Sequence, residues 1–120
     1  MAEHNDLGKQ GEEIAQKHLA DKGYKILHCN WRFGSDEIDI IALKDNMLII
    51  AEVKTRQTNF FGEPEEAVTK TKQKFLIRAT EAYIQQKNID LETRFDIVSV
   101  VIANGQVMIN HIEEAFYPTL

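Results

Sequence analysis

The chain has 120 residues, of which 43% are hydrophobic and 28% are charged, and its net charge is −5. This length suits one domain over residues 1–120, and the composition is that of a globular protein rather than a disordered one. No apolar run approaches the roughly 18–20 residues that cross a bilayer, and the polar N-terminus lacks the basic and apolar regions of a signal peptide. We therefore expect a cytoplasmic protein without a membrane segment.

Charge is distributed unevenly along the chain. The segment from Lys54 to Arg78 has six basic and three acidic residues, a net charge of +3, which leaves −8 for the rest. Nucleic-acid binders usually carry a basic surface, because their affinity comes from cations that replace condensed counterions. The sequence thus allows a local basic face but does not indicate strong general affinity for nucleic acid.

Hydrophobic periodicity and turn residues predict seven elements. In chain order these are a helix over 4–22 that Gly23 ends, a strand over 24–33, a hairpin of strands 38–43 and 47–53, a helix from near Pro64 to about Lys87, and strands over 95–103 and 106–112 joined by Asn104-Gly105. The order α-β-β-β-α-β-β predicts an α/β fold in which two main helices flank a mixed sheet of about five strands.

The hairpin carries the residues most suggestive of chemistry. Glu52 and Lys54 are two apart on a strand, so their side chains share a face. A loop of two or four residues around Asp45 places Asp39 opposite Glu52, whereas a three-residue loop sends Glu52 to the other face. In the even-loop register the Cβ atoms of the two carboxylates lie about 4.5–5.5 Å apart.

Two like charges this close on buried strands are destabilising unless a positive charge lies between them. A divalent cation fits, and oxygen ligands suit Mg²⁺ or Mn²⁺. The alternative is that Asp39 and Glu52 are strand-end residues that are solvated or paired with Lys54 and Arg56. Spacing alone does not separate a metal site from structural ion pairs.

Several short segments occur in an order and spacing that are specific. Residues 37–42 read Glu-Ile-Asp-Ile-Ile-Ala, 52–56 read Glu-Val-Lys-Thr-Arg, 7–15 read Leu-Gly-Lys-Gln-Gly-Glu-Glu-Ile-Ala, 30–32 read Asn-Trp-Arg, 61–64 read Phe-Gly-Glu-Pro, and 94–96 read Arg-Phe-Asp. Together they resemble the YraN-like family of small bacterial proteins over nearly the whole chain. That family looks like a branch of the PD-(D/E)xK nuclease superfamily and is similar to Holliday junction resolvases and restriction-enzyme cores. One departure is Asp36, where the family usually has glycine.

The resemblance implies a restriction-endonuclease-like core that hydrolyses DNA phosphodiester bonds with Mg²⁺ or Mn²⁺. It implies Asp39 and Glu52 as metal ligands, Glu12 as a helical carboxylate that reaches the same site, and Lys54 as the residue that activates the attacking water. A lysine beside a bound cation is driven toward its neutral form by burial and by the cation's field, so its amine can accept a proton.

For contacts with DNA we expect the cations Arg56 and Lys72, the latter matching a family lysine. Lys72, Lys70, Lys74 and Arg78 are otherwise read as the solvated side of a helix. His18 and Trp31 are expected to pack against the core rather than to bind metal or a base.

The leading hypothesis is a metal-dependent endonuclease that acts on branched or damaged DNA. Its rival is a nucleic-acid- or protein-binding module that keeps the nuclease fold without useful catalysis. The set Glu12, Asp39, Glu52 and Lys54 favours the enzyme, whereas the acidic net charge and small size favour the rival. They also favour a homodimer or a protein partner that supplies further DNA-binding surface.

Overall fold

The structure is a computed structural model; it describes the backbone of residues 2–57 and 68–118 and the side chains of residues 6–57 and 68–118. Its elements are α1 (Ala2–Asp21), β1 (Lys25–Phe33), β2 (Asp36–Lys44), β3 (Met47–Arg56), α2 (Lys70–Lys87), β4 (Thr93–Ala103) and β5 (Gln106–Phe116). The predicted order and the α/β class are confirmed.

The five strands form one mixed sheet in the order β1-β2-β3-β4-β5. Neighbouring strands are antiparallel except β3 and β4, which are parallel because α2 connects them. The inner strands carry near-continuous apolar runs, which is the pattern of strands covered on both faces. The central strands are therefore buried from both sides, and a charged group on them requires a specific reason.

Each helix covers one face of the sheet. The α1 face has a core that includes Ala15, Leu19 and Ile49, and the α2 face has a core that includes Leu76 and Tyr83. At about 25 cal/mol per Å² of apolar surface, burying one such leucine stabilises the fold by about 1.5–3 kcal/mol. The helices are held on the sheet mainly by these side chains.

Local capping chemistry determines where the helices end. Gly23, with φ of 92°, follows α1, where the amide of Tyr24 donates to the carbonyl of Leu19. Thr69 caps the start of α2, because its hydroxyl accepts from the amide of Lys72. The predicted start near Pro64 lies outside the described residues; within them α2 begins six residues later, after this cap.

Candidate active site

The β2–β3 turn sets which residues face each other. Asp45 and Asn46 both have positive φ, 51° and 66°, as a two-residue hairpin turn requires. The ladder then pairs Lys44 with Met47, Leu43 with Leu48, Ala42 with Ile49, Ile41 with Ile50 and Ile40 with Ala51. Continuing this register by one pair puts Asp39 opposite Glu52. The predicted even-loop register is confirmed, and the three-residue alternative is wrong.

Asp39 and Glu52 lie on the face of the sheet that α2 covers. Ile41 and Ile50 belong to the core beneath α2, and the two carboxylates are each two residues further along the same strands. The backbone N–H of Val53 donates to Asp39 Oδ2 at 2.8 Å. This bond fixes the Asp39 carboxyl against β3 at a place where regular pairing has ended.

The environment of Asp39 opposes its ionisation. Burial, followed by the negative charge of Glu52, raises the pKa of Asp39 to about 8 despite the bond from Val53, and the charge of Glu12 and a side-chain hydrogen bond with Glu52 add to the rise. A second negative charge beside Glu52 is therefore unfavourable in the absence of a cation. Buried carboxylates with such neighbours typify functional sites.

Two lysines surround the Glu52 carboxylate, whose side chain is only 4% exposed. Lys54 Nζ lies 3.8 Å and Lys72 Nζ 3.2 Å from the same oxygen, Oε2. Burial lowers the pKa of Lys72, but the charge of Glu52 and its hydrogen bond, together with the charges of Asp39 and Glu37, outweigh burial and raise the pKa overall. Among the described residues, Glu52 Oε1 has no hydrogen-bond partner although it is buried. A buried carboxylate oxygen without a partner is costly, and a cation removes that cost.

Glu12 approaches this site from α1. The approach depends on Gly11, because a Cβ there would overlap the side chain of Thr55 on β3. Glu12 is half-buried and close enough to Asp39 to raise its pKa. Over residues 2–57 and 68–118, no three His, Cys, Asp or Glu side chains are grouped closely enough to hold a metal. Asp39 and Glu52 thus form the facing acidic pair, and Glu12 lies at its margin.

The remaining residues predicted for the site, Lys54, Arg56 and Lys72, lie on the same side of the sheet as Glu52. Lys54 and Arg56 follow Glu52 at two-residue spacing along β3, and both are half-buried. Lys72 borders a cleft of about 330 Å³ that opens beside Glu52. The alternative that Lys72 belongs only to a solvated helix face does not hold, since its ammonium pairs with a buried carboxylate, and its contact with phosphate stays a prediction.

The two residues expected to pack do so. Trp31 meets the Tyr83 ring edge to face at 5.1 Å between centroids. His18 is half-buried beside His111, at 6.2 Å between ring centroids.

A buried charge cluster on the α1 face escaped the sequence analysis. Asp96 is fully buried and accepts two hydrogen bonds from Arg94, at 2.9 and 2.8 Å, and one from the Glu114 backbone at 3.1 Å. His111 Nε2 lies 2.7 Å from Asp96 Oδ2, and Arg94 also bonds to Tyr24 Oη at 2.6 Å. Burial alone raises the pKa of Asp96, but these partners outweigh burial and hold it below its ordinary value. The sequence did contain one indication of this cluster: Arg94 and Asp96 have opposite charges and are two residues apart at the start of a predicted strand, so their side chains share a face.

Fold and site together define an α/β domain in which an acidic pair lies on the second and central strands of a five-stranded sheet, with two lysines beside it. No helix in the described part of the chain is long and apolar enough to span a membrane.

The chain belongs to the uncharacterised protein family UPF0102, whose profile matches residues 11–100. It is 52% identical over 120 residues to a UPF0102 protein of Bacteroides thetaiotaomicron, covering 100% of this chain and 99% of that relative. A UPF0102 protein of Phocaeicola vulgatus is 51% identical with the same coverage. One from Flavobacterium psychrophilum is 49% identical over 117 residues, 98% of each chain.

Proposed function

We propose that this protein is a divalent-cation-dependent endonuclease that hydrolyses DNA phosphodiester bonds. The observation that carries the proposal is the facing pair Asp39 and Glu52. Glu52 is buried and Asp39 is half-buried beside it, the pKa of Asp39 is raised, and Glu52 Oε1 lacks a partner among the described residues. Such an arrangement reduces the stability of the folded state. A cation bound during function would compensate the two negative charges and so explain why the arrangement is present.

The residues present fit Mg²⁺ or Mn²⁺. Asp39 and Glu52 would hold the ion as oxygen donors, and Glu12, which lies at the margin of the pair, would have to turn toward them from α1 to become a third donor. When bound, the ion supplies Lewis acidity for the phosphate and lowers the pKa of a coordinated water. The orphaned Oε1 is the atom of the described site most in need of such a partner.

The lysines have separate expected roles in hydrolysis. Lys54, on the same strand face as Glu52, would act in its neutral form: the amine would accept a proton from the attacking water as the water oxygen bonds to phosphorus, and the leaving oxygen would take a proton from solvent as its bond to phosphorus breaks. Lys72, now paired to Glu52, is placed to move to a phosphate oxygen beside the cleft, and Arg56 extends the cationic edge along β3. A net charge of −5 leaves the rest of the chain poorly suited to DNA, so a second copy or a protein partner is expected to add binding surface.

A cleavage panel tests the proposed function. Single-stranded, duplex, flap and four-way-junction DNA would be incubated with the protein and Mg²⁺, Mn²⁺ or EDTA. We expect cutting of at least one substrate with a cation and none with EDTA. If no substrate is cut with either cation, including in the presence of a partner that co-purifies with the chain, then the nuclease proposal fails and the binding-module alternative replaces it.

A further inference from the structure

The cleft that Lys72 borders also contacts a part of α2 beyond Lys72 that has no role in the proposed reaction. Lys72, Phe75 and Arg78 recur every three residues and so lie along one side of the helix. Phe75 is 42% exposed, so its ring is accessible from solvent. It lines the cleft one turn from Lys72, whose ammonium contacts Glu52. An aromatic ring is thus presented next to the candidate active site.

The Phe75 ring is held in place by a buried acid. Asp36, 7% exposed, accepts a hydrogen bond from Arg78 Nε at 2.9 Å, and its Oδ2 forms an ion pair with the terminal nitrogen of Arg78 at 2.8 Å. The Arg78 guanidinium lies over the Phe75 ring, 5.1 Å from its centroid. Because Asp36 comes from β2, the stack joins α2 to the sheet. A ring braced in this way loses little further freedom when a ligand binds to it.

The rest of the cleft suits a nucleotide. Its volume of about 330 Å³ is at the lower end for small-ligand sites, and Leu76 adds apolar surface. Arg32 and Lys72 provide positive charge, while Asp36 and Glu37 also line the cleft and Arg32 pairs with Glu37 at 3.5 Å. Residues three apart on a helix have Cβ atoms about 5–6 Å apart, so one nucleotide is long enough to place its phosphate at Lys72 and its base at Phe75.

We propose that Phe75, braced by Arg78 and Asp36, is a stacking platform for an unpaired base next to the scissile phosphate. This inference rests on the proposed nuclease function and specifies its substrate class. A base in continuous duplex already stacks on its neighbours and has no free face, whereas an unpaired base does. The substrate is thus DNA with single-stranded nucleotides at the cut site, such as a single strand, a flap or a fork.

Binding of a single-stranded oligonucleotide that contains 2-aminopurine tests this, measured in EDTA so that the strand stays intact. Stacking on an aromatic ring quenches this fluorophore, and losing one stack weakens affinity about 10-fold. We expect Phe75→Ala to bind about 10-fold more weakly without quenching, and Phe75→Trp to retain both. Phe33→Ala is the matched control, since Phe33 is 41% exposed at the end of β1 and is not among the residues lining the cleft.

The inference is overturned if wild type shows no quenching, or if Phe75→Ala binds single strands as wild type does. Equal losses in Phe75→Ala and Phe33→Ala also overturn it. Affinity and quenching are measured without a cation, so they do not depend on cleavage. If the protein quenches the fluorophore but cuts no DNA, then the platform is supported and the nuclease proposal fails. If Phe75→Ala cuts DNA efficiently and binds single strands with unchanged affinity, then the nuclease proposal is supported and the stacking platform is overturned.

Discussion

Replacing Lys54 with alanine is expected to reduce DNA cleavage by about 10²–10⁴-fold, the usual contribution of proton transfer by a positioned side chain. Lys54 shares the strand face of Glu52 and lies 3.8 Å from its Oε2, so it is beside the proposed cation site without being a ligand. The substitution removes a positive charge from an acidic site, and cation affinity should hold or rise. Single-turnover cleavage and calorimetric titration of Mn²⁺ measure the two effects separately.

Lys54→Arg distinguishes the possible roles of the lysine. A guanidinium stays protonated and cannot accept a proton from water, so the arginine variant should remain nearly as slow as Lys54→Ala. If arginine restores appreciable cleavage, then Lys54 acts as a positive charge on the phosphate and not as a base. Thermal unfolding of both variants serves as the control for folding.

The second large effect concerns stability, and replacement of the half-buried Asp39 and of the buried Asp96 should change it in opposite directions. Asp39→Asn is expected to stabilise the cation-free protein at pH 8 by about 2–4 kcal/mol. Burial and Glu52 raise the pKa of Asp39 to about 8, so between its ordinary value of 3.8 and 8 only the folded state holds the proton. Stability then falls by up to about 1.4 kcal/mol per pH unit as the pH rises through this window. The neutral amide avoids that loss, so its advantage should vanish near pH 4.

Asp96→Asn is the matched comparison and should destabilise the protein by about 3–5 kcal/mol at pH 7. The substitution leaves the Arg94 guanidinium buried without its countercharge. The free energy lost in this way exceeds what hydrogen bonds to the new amide restore. The pKa of Asp96 lies below its ordinary value, so its contribution is present above pH 4 and is lost as the pH falls further. Denaturant unfolding between pH 4 and 8 measures both variants. Destabilisation by Asp39→Asn at pH 8 would mean that Asp39 is a structural residue.

Much of the fold was predictable because its signals are local. Two-residue turns at Asp45-Asn46 and Asn104-Gly105 place their residues at positive φ, and the first of them determines the hairpin register. Gly23 likewise marks the end of α1. The start of α2 was less predictable, because Pro64 and Thr69 are both good helix-start residues and only the described cap at Thr69 distinguishes them.

The site was predictable only where it lies within one hairpin. Asp39, Glu52 and Lys54 are related by a turn and a strand period, so their proximity follows from the sequence. The bond from Lys72 to Glu52 joins α2 to β3, and the bond from Arg78 to Asp36 joins α2 to β2. Such contacts depend on how a helix packs on the sheet, which periodicity does not specify. The Asp96 cluster was missed because its partners come from β5 and from Tyr24 before β1, and local periodicity does not specify how these distant segments meet β4.

The most direct measurement is calorimetric titration of Mn²⁺ at pH 8 into wild type, Asp39→Ala and Asp45→Ala. Asp39 faces Glu52 in the acidic pair, whereas Asp45 is an exposed carboxylate in the turn of the same hairpin. We predict one site in wild type and Asp45→Ala, and affinity at least 10-fold weaker in Asp39→Ala. Equal Mn²⁺ binding by all three proteins would contradict the assignment of Asp39 and Glu52 as a cation site.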